Sequence, residues 1–135
     1  MKNKMLGTGE KGYNPIRKMR VIISGLKYAF ADFSVLYKSI LSIILLIPVI
    51  IYNGWIDSSV VVLATSFMIA SEMFNTAIEA ICDYMQSEFD KKIGMIKDVA
   101  AAATAVAITA WIIVVSIELI ELYQNIELFR GNYHL

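Results

Sequence analysis

Residues 72–98 of this 135-residue chain read EMFNTAIEAICDYMQSEFDKKIGMIKD. The first part of the stretch is too apolar for a surface helix, yet it carries a polar stripe of Glu72, Asn75, Glu79 and Asp83. Because the separations are three, four and four residues, a helix places all four side chains on one face. A carboxylate at the centre of a bilayer-spanning helix costs about 2.5–3.5 kcal/mol, so an acid in such a helix usually marks a functional site.

Composition and charge argue against several classes of protein. Hydrophobic residues make up 58% of the chain and the mean hydropathy is +0.62, whereas a soluble domain of this length is rarely so apolar. The single cysteine, Cys82, rules out a disulfide within the chain. The single histidine, His134, argues against a histidine-based zinc site or a Ser-His-Asp triad. No GxxxxGK[ST] or GxGxxG loop is present, which argues against a standard nucleotide-binding fold.

The sequence pattern predicts a single-domain, all-α integral membrane protein. Asn14 and Pro15 suit the cap and the first position of a helix, and the basic amphipathic pattern after them is typical of a helix on a membrane surface. Apolar runs long enough to cross a bilayer follow. The predicted segments are a flexible start at 1–13, the surface helix at 14–36, transmembrane helices at 37–55, 58–83 and 99–118, a polar connection at 84–98, and a C-terminal tail at 119–135.

The basic residues are distributed unevenly along the chain. Eleven of the twelve Lys and Arg residues lie before residue 39 or between 84 and 98, and the turn at 53–58 carries none. The positive-inside rule therefore places the N-terminus and the second loop in the cytoplasm and the C-terminus outside. The polar stripe then lies near the cytoplasmic face, with Glu72 slightly inside the hydrocarbon. A site there would meet a soluble substrate and a membrane lipid together.

The residue types in and near the polar stripe suit phosphoryl transfer. Burial of Glu72 in apolar surroundings makes its carboxylate a better proton acceptor, as a general base for a lipid hydroxyl requires. Glu79 lies two turns closer to water, where a carboxylate can hold Mg²⁺ together with phosphate oxygens, and Lys97 adds positive charge for a polyphosphate. Positioning and electrostatics carry most of the catalysis in such a reaction. The residues alone leave open that the acids form polar contacts between helices of an oligomer.

The motif around the polar stripe resembles the signature of a known family. The pattern E-x-x-N-T-A-I-E-x-x-x-D begins at Glu72 and leads towards an alanine-rich helix through Ser87, Glu88, Gly94, Lys97 and Asp98. It is similar to the small bacterial integral-membrane diacylglycerol kinase and undecaprenol kinase family, specifically over 72–103 and more weakly over 16–71. The resemblance implies a homotrimer of three-span subunits in the bacterial inner membrane. The activity it implies is transfer of the γ-phosphate of ATP to a lipid alcohol, with Mg²⁺.

The resemblance also implies roles for individual residues. Glu72 would be the general base, and Asn75 would help to shape the catalytic site. Glu79 would bind the metal and the nucleotide. Asp83 would either close the polar stripe at the level of the lipid headgroups or assist nucleotide binding. The remaining contacts with ATP would come from Glu88, Asp90, Lys97 and Asp98.

One position departs from the pattern of the family. The family places a second metal-binding glutamate on the surface helix after a G-L-[KR]-x-A motif, and that motif is present here from Gly25 to Ala29. The corresponding position is Phe33, and Asp32 precedes it. A shift of one residue turns a helical side chain by about 100°. Either Asp32 replaces the glutamate as a metal ligand, or the metal is held more weakly, or the activity has changed.

Three functions stay open from the sequence. The first is an ATP-dependent lipid kinase acting on diacylglycerol or undecaprenol, since both present a primary hydroxyl. The second is a small transporter or proton-coupled channel that uses Glu72 as its intramembrane carboxylate, which leaves the adjacent Lys97 and Asp98 without a purpose. The third is a non-catalytic relative that binds lipid or a partner membrane protein. None of the three involves a nucleic acid.

Overall fold

The computed structural model describes residues 14–85 and 90–131, with side chains up to residue 129. Within these ranges the chain is entirely helical and forms four helices in sequence order, α1 (Pro15–Ala31), α2 (Phe33–Tyr52), α3 (Trp55–Met85) and α4 (Lys91–Gly131). The start that the sequence predicts to be flexible, at 1–13, lies outside the described residues, and so do residues 132–135 of the predicted tail.

The first helix begins where the sequence predicts and ends earlier. The Asn14 side chain accepts a hydrogen bond from the backbone N–H of Arg17 at 3.1 Å, and Pro15 follows as the first helical residue. The chain then leaves the helix at Asp32, whose Oδ1 accepts from the backbone N–H of Ser34 at 2.7 Å and so caps α2. Aspartate favours this capping position. The predicted surface helix at 14–36 is therefore wrong in its end, because Asp32 divides it into α1 and the first turn of α2.

The predicted polar connection at 84–98 is also wrong in extent. α3 continues to Met85, and α4 begins at Lys91. Asp90 caps α4 through a 2.7 Å hydrogen bond from the backbone N–H of Lys92 to its Oδ1. An acidic N-cap satisfies a helix donor that would otherwise lack a partner. The basic residues of this region therefore belong to a helix rather than to a loop.

The predicted tail at 119–135 is helical as far as it is described, since α4 runs without interruption to Gly131. Leu122 is buried in an apolar cluster with Leu45, Val49 and Val61, so the helix packs on the bundle beyond the predicted end of its membrane span. In the sequence, the acidic residues of this region indicate the end of a membrane span. Glu118 is buried and accepts a hydrogen bond from Asn53, and the acids after it are exposed, so none of them interrupts the packing of the helix.

Three of the helices are long and apolar enough to cross a membrane, which confirms the predicted number of such segments. At about 1.5 Å per residue, α2 is about 30 Å long and matches the thickness of a hydrocarbon core. By the same rule α3 and α4 are about 46 and 62 Å long, so both exceed that thickness. Large aliphatic side chains stay exposed along these helices, as suits a lipid-facing surface; they include Ile44, Leu63 and Val106.

The three long helices run up, down and up. α3 and α4 are antiparallel, because Ser71 lies beside Thr104 and Asp83 lies beside Lys97. The turn between α2 and α3 contains Gly54, whose φ of +114° is a conformation that favours glycine. The first turns of α2 face α3 near Glu72. α3 therefore continues past the start of α2, and this overhang presents the rest of its polar stripe.

Candidate active site

The structure divides the polar stripe of α3 into a buried and an exposed part. Glu72 is 8% exposed, Asn75 is half-buried, and Glu79 and Asp83 are exposed. The division follows from helix lengths: α2 covers α3 at Glu72, and the residues after it belong to the overhang. One stripe therefore presents carboxylates in two different environments about 10 Å apart along the helix axis.

The buried part is an ion pair between Glu72 of α3 and Lys38 of α2. Lys38 is 5% exposed, and its Nζ donates hydrogen bonds to Glu72 Oε1 and, at 2.8 Å, to Ser34 Oγ. Ser34 Oγ in turn donates to Glu72 Oε1 at 3.3 Å. Buried charges are stable in apolar surroundings when they are paired and hydrogen-bonded. The intramembrane carboxylate singled out by the sequence therefore has a specific cationic partner.

Lys38 and Ser34 are site residues that the sequence analysis missed. The sequence predicts an amphipathic surface helix that ends at residue 36, so Lys38 falls just beyond the end of that helix. A signal is nevertheless present, since one face of α2 carries its buried residues at steps of three and four. That face consists of Val35, Lys38, Ser42, Leu45 and Val49. A lysine on the buried face of an apolar helix predicts an acidic partner.

The turn that carries Lys38 is tied to α4. Ser42 Oγ donates to the backbone carbonyl of Lys38 at 2.9 Å, and the indole Nε1–H of Trp111 donates to Ser42 Oγ at 2.9 Å. Both side chains are buried. Because each polar group has a partner, this connection between α2 and α4 fixes the backbone at Lys38.

The exposed part of the stripe contains two local pairs. Asn75 Nδ2 donates to Glu79 Oε1 at 2.9 Å. Lys97 of α4 lies 2.5 Å from Asp83 Oδ1, with the Lys97 side chain 35% exposed. The carboxylates of Glu79 and Asp83 are open to water, so a soluble ligand can reach them. The arrangement brings together Asn75, Glu79, Asp83 and Lys97, all of which the sequence analysis singled out.

The oxygen atoms of this exposed part fit a hard divalent cation. Glu79 offers an exposed carboxylate. Asn75 Oδ1 is buried, and no described residue donates a hydrogen bond to it. Mg²⁺ prefers carboxylate and amide oxygens and takes its remaining ligands from phosphate and water. Glu79 and Asn75 therefore offer ligand types that suit a metal beside a polyphosphate.

The other predicted site residues lie in different parts of the chain. Asp32 and Asp90 cap α2 and α4, so each has a structural reason to be acidic. Asp98 is exposed on α4, and Glu88 lies outside the described residues. Phe33, at the position of the family's second glutamate, is 76% exposed and packs against Tyr37 with ring centroids 5.6 Å apart.

A second acidic group lies at the opposite end of the bundle. The carboxylates of Asp57, Glu118 and Glu121 lie within 4.8 Å of one another. Glu118 is buried and accepts a 3.2 Å hydrogen bond from Asn53 Nδ2. From Asp57 to Glu79 the distance along α3 is about 33 Å. This group is therefore separate from the polar stripe, and none of its members was predicted as a site residue.

Comparison with known proteins identifies the family. The sequence model described as Prokaryotic diacylglycerol kinase matches residues 20–119, which include all of α2 and α3 and most of α4. No significant match was found among curated proteins or among solved structures. Membership of this family implies a kinase that acts on lipids, uses ATP and usually requires a divalent metal. The resemblance inferred from the motif is confirmed, and the chain belongs to the prokaryotic diacylglycerol kinase family.

Proposed function

We propose that the protein transfers the γ-phosphate of ATP to the primary hydroxyl of a membrane lipid alcohol, either diacylglycerol or undecaprenol. The observation that carries the proposal is the division of the polar stripe. A buried carboxylate at Glu72 lies next to groups on the overhang that water can reach. A lipid hydroxyl and a nucleotide polyphosphate need these two environments side by side.

In this proposal the buried part of the stripe handles the proton. Glu72 accepts the proton of the lipid hydroxyl while the hydroxyl oxygen attacks the γ-phosphorus of ATP. The bond from that phosphorus to the β,γ-bridging oxygen breaks and releases ADP. General bases placed in this way contribute about 10²–10⁴-fold to rate. Asn75, one turn away, shapes the site between the hydroxyl and the metal.

The exposed part of the stripe holds the nucleotide. Glu79, with Asn75, would hold Mg²⁺, which supplies charge neutralisation on the phosphates. Lys97 contacts the polyphosphate after leaving Asp83, and Asp83 then lies beside the nucleotide. Further contacts come from Glu88, Asp90 and Asp98. Asp32 remains the candidate for the second metal-binding acid, since its cap hydrogen bond engages Oδ1 alone.

The proposal includes an arrangement in the membrane. α1 lies on the cytoplasmic surface of the bacterial inner membrane as an amphipathic helix, and the overhang of α3 and α4 faces the cytoplasm. Three copies of the chain assemble into a homotrimer. Support comes from the distribution of basic residues, and from a smooth row of alanines on α4 that allows close helix packing in lipid.

The transporter alternative has less support from the bundle. Between the Lys38–Glu72 pair and the polar group around Asn53 and Glu118 lies the apolar cluster of Leu45, Val49, Val61 and Leu122. This cluster interrupts any continuous line of polar side chains through the interior of one chain. A flux assay beside the kinase assay would separate the two functions.

The direct test is transfer of labelled phosphate from ATP by the purified protein in mixed micelles containing Mg²⁺. Diacylglycerol and undecaprenol are offered in parallel, with proton and ion flux measured in vesicles. We expect label in one of the two lipids and no flux. Label in neither lipid from a folded protein would contradict the proposal and would favour the non-catalytic relative, with Phe33 as the first position to restore to glutamate.

A further inference from the structure

The ion pair between Lys38 and Glu72 has a directional geometry. Lys38 Nζ and Ser34 Oγ both donate to Glu72 Oε1, and neither engages Oε2. Both donors come from α2. The pair therefore holds one oxygen of Glu72 and leaves the other without a donor from these two side chains.

The environment of Lys38 suits a permanent neighbour of Glu72 better than a nucleotide contact. Its side chain is 6% exposed, whereas that of Lys97 is 35% exposed. The 2.8 Å bond to Ser34 Oγ holds the ammonium within the first turns of α2. The Ser42–Trp111 connection fixes the backbone of the same turn. A polyphosphate would have to displace buried contacts to reach Lys38, while Lys97 is already at the surface.

The pair with Lys38 bears on the position of Glu72. A charge-assisted hydrogen bond is shorter and stronger than a neutral one, so it holds a carboxylate oxygen more firmly. A general base must lie within hydrogen-bonding reach of the proton that it accepts. A carboxylate held through Oε1 is therefore fixed in place before the lipid hydroxyl arrives.

We propose that Lys38 is a positioning residue for phosphoryl transfer, which holds Oε1 of Glu72 and leaves Oε2 to accept from the lipid hydroxyl. The proposal rests on the lipid kinase function. During transfer the hydroxyl proton moves to Glu72 Oε2, the new O–P bond forms, and the bond from the γ-phosphorus to ADP breaks. Lys38 keeps its protons throughout and stays bonded to Oε1. After product release, Glu72 returns its proton to water.

The first test is spectroscopic and needs no turnover. Lys38→Met removes the ammonium and keeps a side chain of similar length. We expect the carboxylate stretching bands of this variant in lipid to shift relative to the wild type, because Oε1 of Glu72 loses its charged donor. The same substitution made in a Glu72→Gln background should leave the carboxylate bands unchanged, which assigns the shift to Glu72. Unchanged bands in Lys38→Met would overturn the proposal.

The second test is kinetic. Loss of a residue that orients a catalytic group typically lowers activity by about 10–100-fold, so kcat of Lys38→Met should fall by this factor while KM for ATP changes less than about threefold. Lys38→Arg, which keeps the charge, should recover most of kcat. The matched control is Lys91→Met, at an exposed lysine, which should leave kcat unchanged. A rise in KM for ATP with an unchanged kcat would assign Lys38 to the nucleotide instead.

The two tests separate the inference from the function on which it rests. If the wild type transfers no phosphate to either lipid, the lipid kinase proposal fails, and the infrared comparison still decides whether Lys38 holds the carboxylate of Glu72. If Lys38→Met does not fold, Lys38→Gln takes its place, because its amide replaces the charged donor with a neutral one. In that variant a shift of the same bands is expected, and its absence counts against the proposal.

Discussion

The two parts of the polar stripe show how one helix face supports two kinds of chemistry. Glu72 is 8% exposed and has a fixed partner in Lys38, whereas Glu79, two turns further on, is exposed and bonded only to its neighbour Asn75 among its described contacts. The residue types are the same, so the difference comes from what covers them. α2 covers α3 at Glu72, and the overhang leaves Glu79 open to water. The boundary of a neighbouring helix therefore decides which carboxylate is buried and which is open to water, and the proposed function assigns the proton to the first and the metal to the second.

The largest effect is expected from Glu72→Gln. The amide keeps an acceptor for Lys38 and loses the ability to take a proton, so kcat for phosphate transfer should fall by about 10²–10⁴-fold. The measurement is labelled phosphate transfer in mixed micelles. Glu118→Gln is the matched control, because Glu118 is also buried in a helix but lies in the other acidic group. Retained turnover in Glu72→Gln, or an equal loss in Glu118→Gln, would contradict the assignment of proton transfer to the buried part of the polar stripe.

Glu79→Gln should change the metal dependence instead. Loss of a charged contact costs about 1.5–3 kcal/mol, so the Mg²⁺ concentration for half-maximal activity should rise by about 10–100-fold. At saturating Mg²⁺ most of the activity of Glu79→Gln should return. The activity of Glu72→Gln should stay low at every Mg²⁺ concentration. A titration of activity against Mg²⁺ at fixed ATP measures the shift. An unchanged titration curve would remove Glu79 from the metal site.

Two substitutions at Asp32, to asparagine and to alanine, separate a role as a metal ligand from a role as the N-cap of α2. Asparagine caps a helix about as well as aspartate, whereas alanine removes the cap and costs about 1 kcal/mol. If Asp32 holds the metal, Asp32→Asn and Asp32→Ala should both weaken the apparent affinity for Mg²⁺ by about tenfold or more. If its role is the cap alone, Asp32→Asn should behave as the wild type, and only Asp32→Ala should lose stability.

The sequence predicted the family and the number of membrane-length helices, whereas it missed the helix boundaries. The spacing of the polar stripe and the alanine-rich helix after it identified the family without any structure. The cap roles of Asp32 and Asp90 were missed because a single aspartate can lie on the surface of a continuous helix as readily as at the start of a new one. Lys38 was missed for the same reason. Its place on the buried face of α2 becomes visible only when the helix is known to restart at Phe33.

The smallest effect is expected from Asp83→Asn. The pair with Lys97 is largely exposed, and such pairs contribute about 0.2–1 kcal/mol to stability. Thermal unfolding in detergent should therefore change little. KM for ATP should change by less than about threefold, since the loss of Asp83 releases Lys97 for the polyphosphate. A large rise in KM would show that Asp83 itself is needed for nucleotide binding.

The central claim is that proton transfer and nucleotide binding belong to different parts of one stripe. It is tested most directly by titrating Mg²⁺ and a non-hydrolysable ATP analogue onto Glu72→Gln and Glu79→Gln in lipid, with the wild type beside them. We expect wild-type affinity for Glu72→Gln, although that variant transfers phosphate about 10²–10⁴-fold more slowly, and affinity about 10–100-fold weaker for Glu79→Gln. Equal weakening in both variants would contradict the account, because Glu72 would then belong to the nucleotide site.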